Sequence, residues 1–313
     1  MQKSRKLLDR LSKYDKISCS FSGGRTSAVM TKLVLDTCRD THEIVVTFAN
    51  TGCEHEDTLR FVDACDKHWG FNTVWIEPKI SPEHGIGIRY RLVDYISASR
   101  DGRPFEDVVR KYGVPNQGNP LCTRFIKTDA MESYLKSIGF LRGKKLNYYT
   151  AIGIRADEMD RIAKNYEQNA FIYPLLIEGW TKKDVLDFME QQPWDLKIPE
   201  ILGNCTWCWK KSKRKLYTLA KTYPDMFNFP AFLEGKYGWH KANNSKREDG
   251  RRTFFRGHKS ANEIVAESKL VDFDMWEPDK LANFDPSLDL SDGCVESCEV
   301  YPTNGEEYIE DEE

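Results

Sequence analysis

The sequence lacks any apolar run that approaches the roughly 18 residues of a membrane-spanning helix. Its opening stretch, MQKSRKLLDRLSKYDK, is charged throughout and has no apolar segment of the kind that marks a secretory signal. An excess of basic charge is also missing, since 46 Lys and Arg residues stand against 49 Asp and Glu residues. We therefore expect a cytoplasmic protein without membrane contact, and a globally basic nucleic-acid coat is excluded.

Internal repeats are absent too, which argues against a solenoid. The 313 residues are enough to bury a core without disulfides, and 40% hydrophobic with 30% charged residues is typical of a globular protein. The nine cysteines are an odd number in a chain without an export signal. Thiolate chemistry or metal binding therefore explains them better than disulfides do.

The first part of the chain alternates between short β-branched segments and helical patterns. Strands are predicted at 16–21, 43–49 and 73–76, and helices at 28–38 and 54–69. Strands that alternate with helices predict an α/β fold, a parallel twisted sheet flanked by helices.

The remaining segments are less regular. Residues 81–117 show no clear strand and are interpreted as an insertion or lid with one helix near 105–112. Thr181 and Asp184 predict the start of a helix that ends before Pro193. A strand is also predicted at 146–152, and helices at 123–138, 213–221 and 262–269.

The pattern changes near residue 200. We predict a nucleotide-binding domain at 1–200 and a smaller region at 201–313 that carries paired cysteines, a basic segment and an acidic tail. Residues 239–258 are polar and basic, so we expect them to be exposed or partly disordered. The tail, NGEEYIEDEE, is expected to be solvated.

A glycine-rich loop links the first predicted strand to the first predicted helix. Its sequence is Ser20-Phe21-Ser22-Gly23-Gly24-Arg25-Thr26-Ser27. Glycines let a backbone approach a ligand closely, and the helix start offers N–H groups and a positive dipole end to an anion. The loop therefore predicts a phosphate site, with an ordinary turn of small residues as the alternative. It is neither a Walker A loop nor a GxGxxG loop.

This loop resembles the SGG-x-x-S PP-loop of the N-type ATP pyrophosphatase and PAPS reductase-like superfamily, found in bacteria and their phages. Other segments match that family in the expected order, over about residues 16–222 and the final cysteine pair. They are Asn50-Thr51-Gly52 as the adenine-side loop, Cys122-Thr123-Arg124 with Lys127, Gly153-Ile154-Arg155-Ala156-Asp157-Glu158 with Arg161, and Gly203-Asn204-Cys205 through Cys208.

The resemblance implies an adenine-nucleotide site at these positions, with ATP or PAPS as ligand. Many members have Lys-Asp where this chain has Arg25-Thr26, so this loop lacks the Asp that could contact Mg²⁺. The Glu-Cys-Gly-Leu-His motif of true sulfonucleotide reductases is absent, and the double glycine is kept. Both departures favour cleavage of ATP between its α and β phosphates over PAPS reduction.

Charged residues accompany these motifs. Arg124 and Lys127 share one face of a predicted helix, and Arg155 follows a strand end, where α/β sheets bind ligands. Such cations suit a polyphosphate, and surface ion pairing is the alternative. Asp157 and Glu158 could hold Mg²⁺ or could pair with neighbouring arginines.

Two close-spaced cysteine pairs, Cys205 with Cys208 and Cys294 with Cys298, could supply four thiolates to Zn²⁺ or to an iron–sulfur cluster. Unrelated free thiols are the alternative. Cys122 precedes two cations that favour a thiolate, so it could be a nucleophile, a persulfide carrier, a cluster ligand or a structural thiol.

The basic segment at 210–215 follows Trp207 and Trp209, a combination that binds nucleic acid in some proteins and is a solvated face in others. The leading hypothesis is an enzyme that adenylates an acceptor, with Cys122, Arg124 and Lys127 as catalytic residues and sulfur transfer as a following step. The acceptor, which could be nucleic acid, and a sulfur donor or thiol reductant are left open. A sulfonucleotide reductase and a non-catalytic nucleotide-binding or nucleic-acid-binding module are the alternatives.

Overall fold

The computed structural model describes residues 1–83, 85–142, 145–241, 247–277 and 286–289. Its strands are β1 (Lys16–Ser20), β2 (Glu43–Ala49), β3 (Val74–Lys79), β4 (Arg89–Val93), β5 (Leu141–Arg142), β6 (Lys145–Leu146), β7 (Tyr149–Ala151) and β8 (Phe171–Ile172). Its α-helices are α1 (Arg5–Leu8), α2 (Arg25–Cys38), α3 (Glu56–Trp69), α4 (Arg103–Tyr112), α5 (Asp129–Ser137), α6 (Pro174–Glu178), α7 (Lys182–Glu190), α8 (Lys213–Thr222), α9 (Asn228–Tyr237), α10 (Ala261–Leu270) and α11 (Pro286–Asp289). A π-helix spans Cys122–Thr128, and 3₁₀ helices span Ala156–Arg161, Glu200–Leu202, Pro224–Phe227 and Arg256–His258.

Six of the strands form one sheet in the order β4-β3-β2-β1-β7-β8. All neighbours in this sheet are parallel except β3 and β4, which pair antiparallel at one edge. Most residues of β1 and β2 are buried, because the helices that connect parallel strands cover both faces of the sheet. The predicted α/β class with a mostly parallel sheet is confirmed.

The stretch at 81–117 contains a strand that the sequence pattern did not predict. In β4 the side chains of Arg89 and Leu92 are exposed, and Arg91 forms an ion pair with the buried Glu77. A charged edge strand is common, because charge discourages pairing with other chains, and it removes the apolar alternation by which strands are recognised. The predicted absence of a strand here is wrong, whereas the predicted helix is α4.

Two further elements differ from their predicted form. The helix predicted at 123–138 begins as the π-helix and becomes α-helical only at Asp129. The strand predicted at 146–152 pairs with the sheet over Tyr149–Ala151 alone. Sequence propensity does not reveal a π-helix here, because a π-helical turn inside an α-helix is too short to change the pattern of apolar residues.

The segment at 239–258, predicted to be exposed, is partly core. Phe254 and Phe255 are 0% and 2% exposed, and Phe254 packs against Trp207 and Phe105. The Glu234 carboxylate accepts hydrogen bonds from the backbone N–H groups of Phe254 and Ala261, and burial raises the pKa of Glu234 to about 7. This correction follows from long-range packing that a polar local sequence conceals.

The described residues on either side of position 200 share one continuous apolar core. The division at 1–200 and 201–313 stays a prediction. Where the chain is described, its helices are too short or too polar to cross a bilayer.

Candidate functional site

The glycine loop turns sharply between β1 and α2. Gly23 has a φ of +78°, and a Cβ at this position would lie 2.7 Å from Thr58 Cγ2 on α3. Gly24 is the N-cap of α2 and supplies no side-chain cap. The Ser22 amide donates to Ser27 Oγ at 3.2 Å, which draws the loop back over the helix start.

The first turn of α2 has backbone donors that the helix cannot use. The N–H groups of Arg25, Thr26 and Ser27 precede the first carbonyls that could accept from them within the helix. With no capping side chain in front of them, these amides and the positive end of the helix dipole attract an anion. The glycine loop therefore joins a strand to a helix as predicted, and its role as a phosphate site stays a prediction.

A cleft lies over this helix start. One wall is the loop from Ser22 to Ser27, and a second contains Gly153, Arg155 and Glu158. The remaining wall comes from α7 and the segment after it, with lining residues Lys182, Val185, Leu186, Leu196, Ile198, Pro199, Glu200, Gly203 and Asn204.

Arg155 is the buried cation of this cleft, at 5% exposure. One of its guanidinium nitrogens donates to Thr26 Oγ1 at 3.0 Å, and its Nε donates to Asp157 Oδ1 at 3.0 Å. The strand end packs closely on the loop, because a Cβ on Gly153 would lie 3.1 Å from Ser27 Cα. The sheet thus fixes Arg155 beside the helix start.

Both carboxylates predicted as Mg²⁺ ligands pair with arginines. Glu158 forms ion pairs with Arg155 and Arg161, and Asp157 accepts from Arg155. This is the alternative that the sequence left open. Within the described ranges, no group of three or more Cys, His, Asp and Glu residues is arranged to hold a metal ion.

Other predicted residues of the glycine-loop motifs have structural contacts. Phe21 and Ile154 are 2% and 0% exposed, and Phe21 packs against Phe71. Arg25 forms a two-pronged ion pair with Asp195, at 2.8 and 2.9 Å for its Nε and one terminal nitrogen. Ser20 ends β1. No local pattern around Asp195 marked it as a partner of the loop.

The wall formed by α7 brings a further cation to the cleft that the sequence did not predict as a site residue. Lys182 Nζ donates to the Glu200 carboxylate at 3.2 Å, and Lys215 forms an ion pair with the same carboxylate. The backbone N–H of Lys182 donates to Asp157 Oδ2 at 3.4 Å. The helix start predicted at Thr181 and Asp184 could have placed this lysine in a first helical turn, but not opposite a ligand.

The adenine-side loop predicted at Asn50, Thr51 and Gly52 does not line this cleft. Asn50 is 0% exposed and its side-chain amide donates to Glu77 and to the Ser99 carbonyl. Thr51 is 1% exposed and donates through Oγ1 to Glu54 at 2.7 Å. The role of this loop in binding adenine stays a prediction.

Cysteines lie beside the end of β2. Cys205 Sγ lies 3.3 Å from Thr51 Oγ1, and the Thr206 N–H donates to the Cys53 carbonyl. Burial, followed by the neighbouring Cys205, raises the pKa of the Cys53 thiol well above its usual value. The Cys208 N–H donates to the Cys205 carbonyl at 3.0 Å, so these two cysteines share a tight turn.

The other predicted metal ligands, Cys294 and Cys298, lie outside the described residues. The predicted four-cysteine site therefore stays a prediction. The described half of it is compatible with a metal or cluster, because its two thiols come from one turn and are 7% exposed.

The π-helix carries the predicted catalytic residues. Cys122 is half-buried, whereas the other described cysteines are buried. Arg124 lies over the Phe125 ring and 3.7 Å from Asp129, whose pKa burial raises to about 6 against the opposing effect of Arg124. Lys127 is 8% exposed.

Lys127 is close enough to Glu54, which follows β2, for its charge to act on that carboxylate. Burial raises the pKa of Glu54, and the charge of Lys127 and the hydrogen bonds from Thr51 oppose this rise. The catalytic assignment of Cys122, Arg124 and Lys127 stays a prediction, and none of the three lines the cleft over the glycine loop.

The basic segment is largely folded inward. Trp207 and Trp209 are each 3% exposed, so neither ring is available to stack on a base. Three of its cations are buried as well, and their partners include backbone carbonyls and Glu200: Lys211, Arg214 and Lys215.

The sheet, the glycine loop at the end of β1 and the cleft above it together define an α/β protein of the PP-loop class. The chain belongs to the phosphoadenosine phosphosulfate reductase domain family, whose model matches residues 16–198, more than half of its length. The resemblance inferred from the motifs is thereby confirmed.

Two relatives extend this similarity. The chain is 34% identical over 287 residues to the uncharacterized nin region protein ORF290 of Escherichia phage lambda, which covers 90% of this chain and 94% of the relative. It is 25% identical over 226 residues to the uncharacterized protein MJ0973 of Methanocaldococcus jannaschii, which covers 68% of this chain and 46% of the relative. The phage relative agrees with the expected occurrence of such proteins.

Proposed function

We propose that this protein binds ATP and cleaves it between the α and β phosphates to adenylate an acceptor. The observation that carries the proposal is the uncapped first turn of α2, which opens into the same cleft as the buried Arg155. Backbone amides and a fixed guanidinium are a preorganised environment for charge that develops on a leaving pyrophosphate.

The reaction divides into two steps. An acceptor oxygen attacks the α phosphorus, the bond from this phosphorus to the bridging oxygen breaks, and pyrophosphate leaves with that oxygen. The acceptor is then activated as its adenylate. A sulfur or nitrogen nucleophile displaces AMP in the second step and loses its proton to solvent. The loop from Ser22 to Ser27 binds the pyrophosphate, and Arg155 offsets its charge.

Magnesium enters this proposal with the nucleotide. Asp157 and Glu158 are occupied by arginines, so the phosphate oxygens and water are the better Mg²⁺ ligands. Bound Mg²⁺ would neutralise phosphate charge, while this chain's own residues bind and orient the polyphosphate. Cys205 and Cys208 would hold one half of a zinc or iron–sulfur site with Cys294 and Cys298.

The test is an assay of products from radiolabelled ATP with the full chain, Mg²⁺ and candidate acceptors, including small metabolites and nucleic acid. Formation of pyrophosphate with an equal amount of adenylated acceptor, and release of AMP once a sulfur or nitrogen nucleophile is added, supports the proposal. Release of ADP and phosphate, or of AMP without pyrophosphate, contradicts it. Tight ATP binding without any turnover would identify a nucleotide-binding module instead.

Sulfonucleotide reduction is the second candidate, and the half-buried Cys122 is the observation that favours it. Its thiolate would attack the sulfur of the phosphosulfate, with the adenosine phosphate as leaving group. A thiol partner would then attack the resulting S-sulfocysteine, form a mixed disulfide with Cys122 and release sulfite. A second thiol of the reductant would reduce that disulfide. Sulfite release from PAPS that persists in Cys122→Ser would exclude Cys122 as the nucleophile.

A further inference from the structure

The cleft over the glycine loop has a second cation, on the wall formed by α7. Lys182 begins α7 and lines this cleft together with the loop and Arg155. Neither the proposed reaction nor the motifs that identify the family assign it a role. Its side chain is 42% exposed, so its ammonium group can reach a ligand in the cleft without unfolding of the wall.

One carboxylate fixes Lys182 relative to Arg155. Asp157 accepts from Arg155 Nε through Oδ1 and from the Lys182 backbone N–H through Oδ2, at 3.0 and 3.4 Å. The two cations are therefore coupled through a side chain only two residues from Arg155. This link positions the start of α7 against the same helix end that the glycine loop exposes.

Glu200 is the negative group of the wall. It pairs with Lys182 on one side and with the buried Lys215 on the other. Because Lys215 already balances the Glu200 charge, Lys182 can leave this carboxylate for a phosphate at little electrostatic cost. An incoming anion with several charges would attract the more exposed Lys182 and leave the buried Lys215 in place.

We propose that Lys182 binds the phosphates distal to the cleaved bond and so selects a contiguous polyphosphate over a ligand with a single phosphate or phosphosulfate group. This inference rests on the proposed function, because it assumes that the glycine loop holds the same polyphosphate. It makes the start of α7 a specificity element of the site.

The test compares two adjacent lysines by titration calorimetry with sodium pyrophosphate, ATP and AMP. Lys183 is the matched control, because its side chain is 80% exposed and pairs with Asp187 on the same helix. We expect Lys182→Met to weaken pyrophosphate and ATP binding roughly ten-fold or more, as expected for loss of a charged hydrogen bond. Lys183→Met should change both by less than about two-fold, as for other exposed ion pairs.

AMP separates distal phosphates from the rest of the nucleotide. Its affinity should change by less than about two-fold in Lys182→Met, because AMP has no phosphate that a distal contact could reach. Lys182→Arg should keep most of the affinity for pyrophosphate. This result would show that Lys182→Met weakens binding because the charge is lost and not because the fold is lost. Thermal unfolding of each variant checks that the chain is intact.

Three results would overturn the inference. One is equal weakening by Lys182→Met and Lys183→Met, the second is no weakening by either, and the third is a loss for AMP as large as that for pyrophosphate. In all three cases ATP cleavage to AMP and pyrophosphate could still proceed, and the proposed function would stand. Absence of ATP and pyrophosphate binding in the unaltered protein would instead remove both proposals.

Discussion

The ends of β1 and β2 are neighbours in the sheet, yet they are built in opposite ways. After β1 the chain turns at Gly23 into a helix without a capping side chain, and a cleft opens above it. After β2 the chain enters a helix that His55 caps by accepting from the Asp57 N–H, with Thr51 and Glu54 bonded to each other in front of it.

This difference shows that the position of a strand end does not by itself make a ligand site. Both ends lie at the edge where parallel α/β sheets bind ligands. At β1 no side chain among the described residues caps the helix start, whereas at β2 the polar groups hydrogen-bond to one another and the segment around Cys205 covers them. The first end is thus open for an anion, and the second is part of the core.

The largest effect is expected when a side chain fills the open end of β1. A Cβ at Gly24 would have only Ser22 Oγ, at 3.8 Å, within 4 Å, and its backbone φ of −99° suits any residue. Gly24→Val should therefore fold normally but occupy ligand space, and we expect ATP binding to fall on the order of 100-fold or more, about 2.7 kcal/mol. Calorimetric titration measures this.

Gly87→Val is the control for that change, since a Cβ there meets nothing within 4 Å and Gly87 does not line the cleft. It should leave ATP affinity and the melting temperature unchanged. If Gly24→Val bound ATP as well as Gly87→Val does, the open strand end would not be the nucleotide site.

The closed end should respond through stability instead. Thr51→Val removes the hydroxyl that donates to Glu54 and accepts from the Cys53 N–H at 3.2 Å. Leaving these buried partners unpaired should lower the free energy of unfolding by about 1–3 kcal/mol. ATP affinity should stay within about two-fold, since this side chain lies outside the cleft. Urea unfolding and calorimetry provide the two measurements.

Thr253→Val is the matched control for Thr51→Val. Thr253 is 4% exposed, and its hydroxyl has no hydrogen-bond partner among the described residues. Its removal should be neutral or slightly stabilising. If Thr51→Val lost much more than two-fold in ATP affinity while Thr253→Val did not, the end of β2 would contact the nucleotide.

The smallest effect concerns pH. Because burial raises the pKa of Glu54 above its ordinary 4.5, the folded chain holds this proton more tightly than the unfolded chain does. The stabilising contribution of Glu54 is therefore complete below pH 4.5 and is lost as pH rises through the folded pKa. The difference in unfolding free energy between the unaltered protein and Glu54→Gln should fall in that direction, and a rise would contradict the desolvated environment.

Much of the fold could be predicted from local sequence. The run from β1 through the glycine loop into α2 was predicted because apolar periodicity and the two glycines mark it directly. The helix that begins after Thr181 was predicted for the same reason, since Thr181 and Asp184 act within one turn of the chain. The edge strand β4 was missed because its charges hide its alternation.

The site was predictable only in its local part. The sequence named Arg155 and the glycine loop, which line the cleft, but it named neither Asp195 as the partner of Arg25 nor Lys182 as a lining residue. It also left open how Trp207 is used, which the structure answers by burying it against Phe105 and Phe254. These contacts join segments far apart in the chain, and no short pattern records them.

The sequence by itself determined that this chain alternates strands with helices, has a glycine loop before a helix and carries the motifs of its family, because each of these features is recorded in a short local pattern. Only the tertiary structure decided which strand end is open. The segment from Gly203 to Cys208 packs beside Cys53 and Glu54, after a span of the chain that includes α4, α5 and α7. Whether a polar group is free for a ligand depends on what the distant chain brings to it, and that is a property of packing.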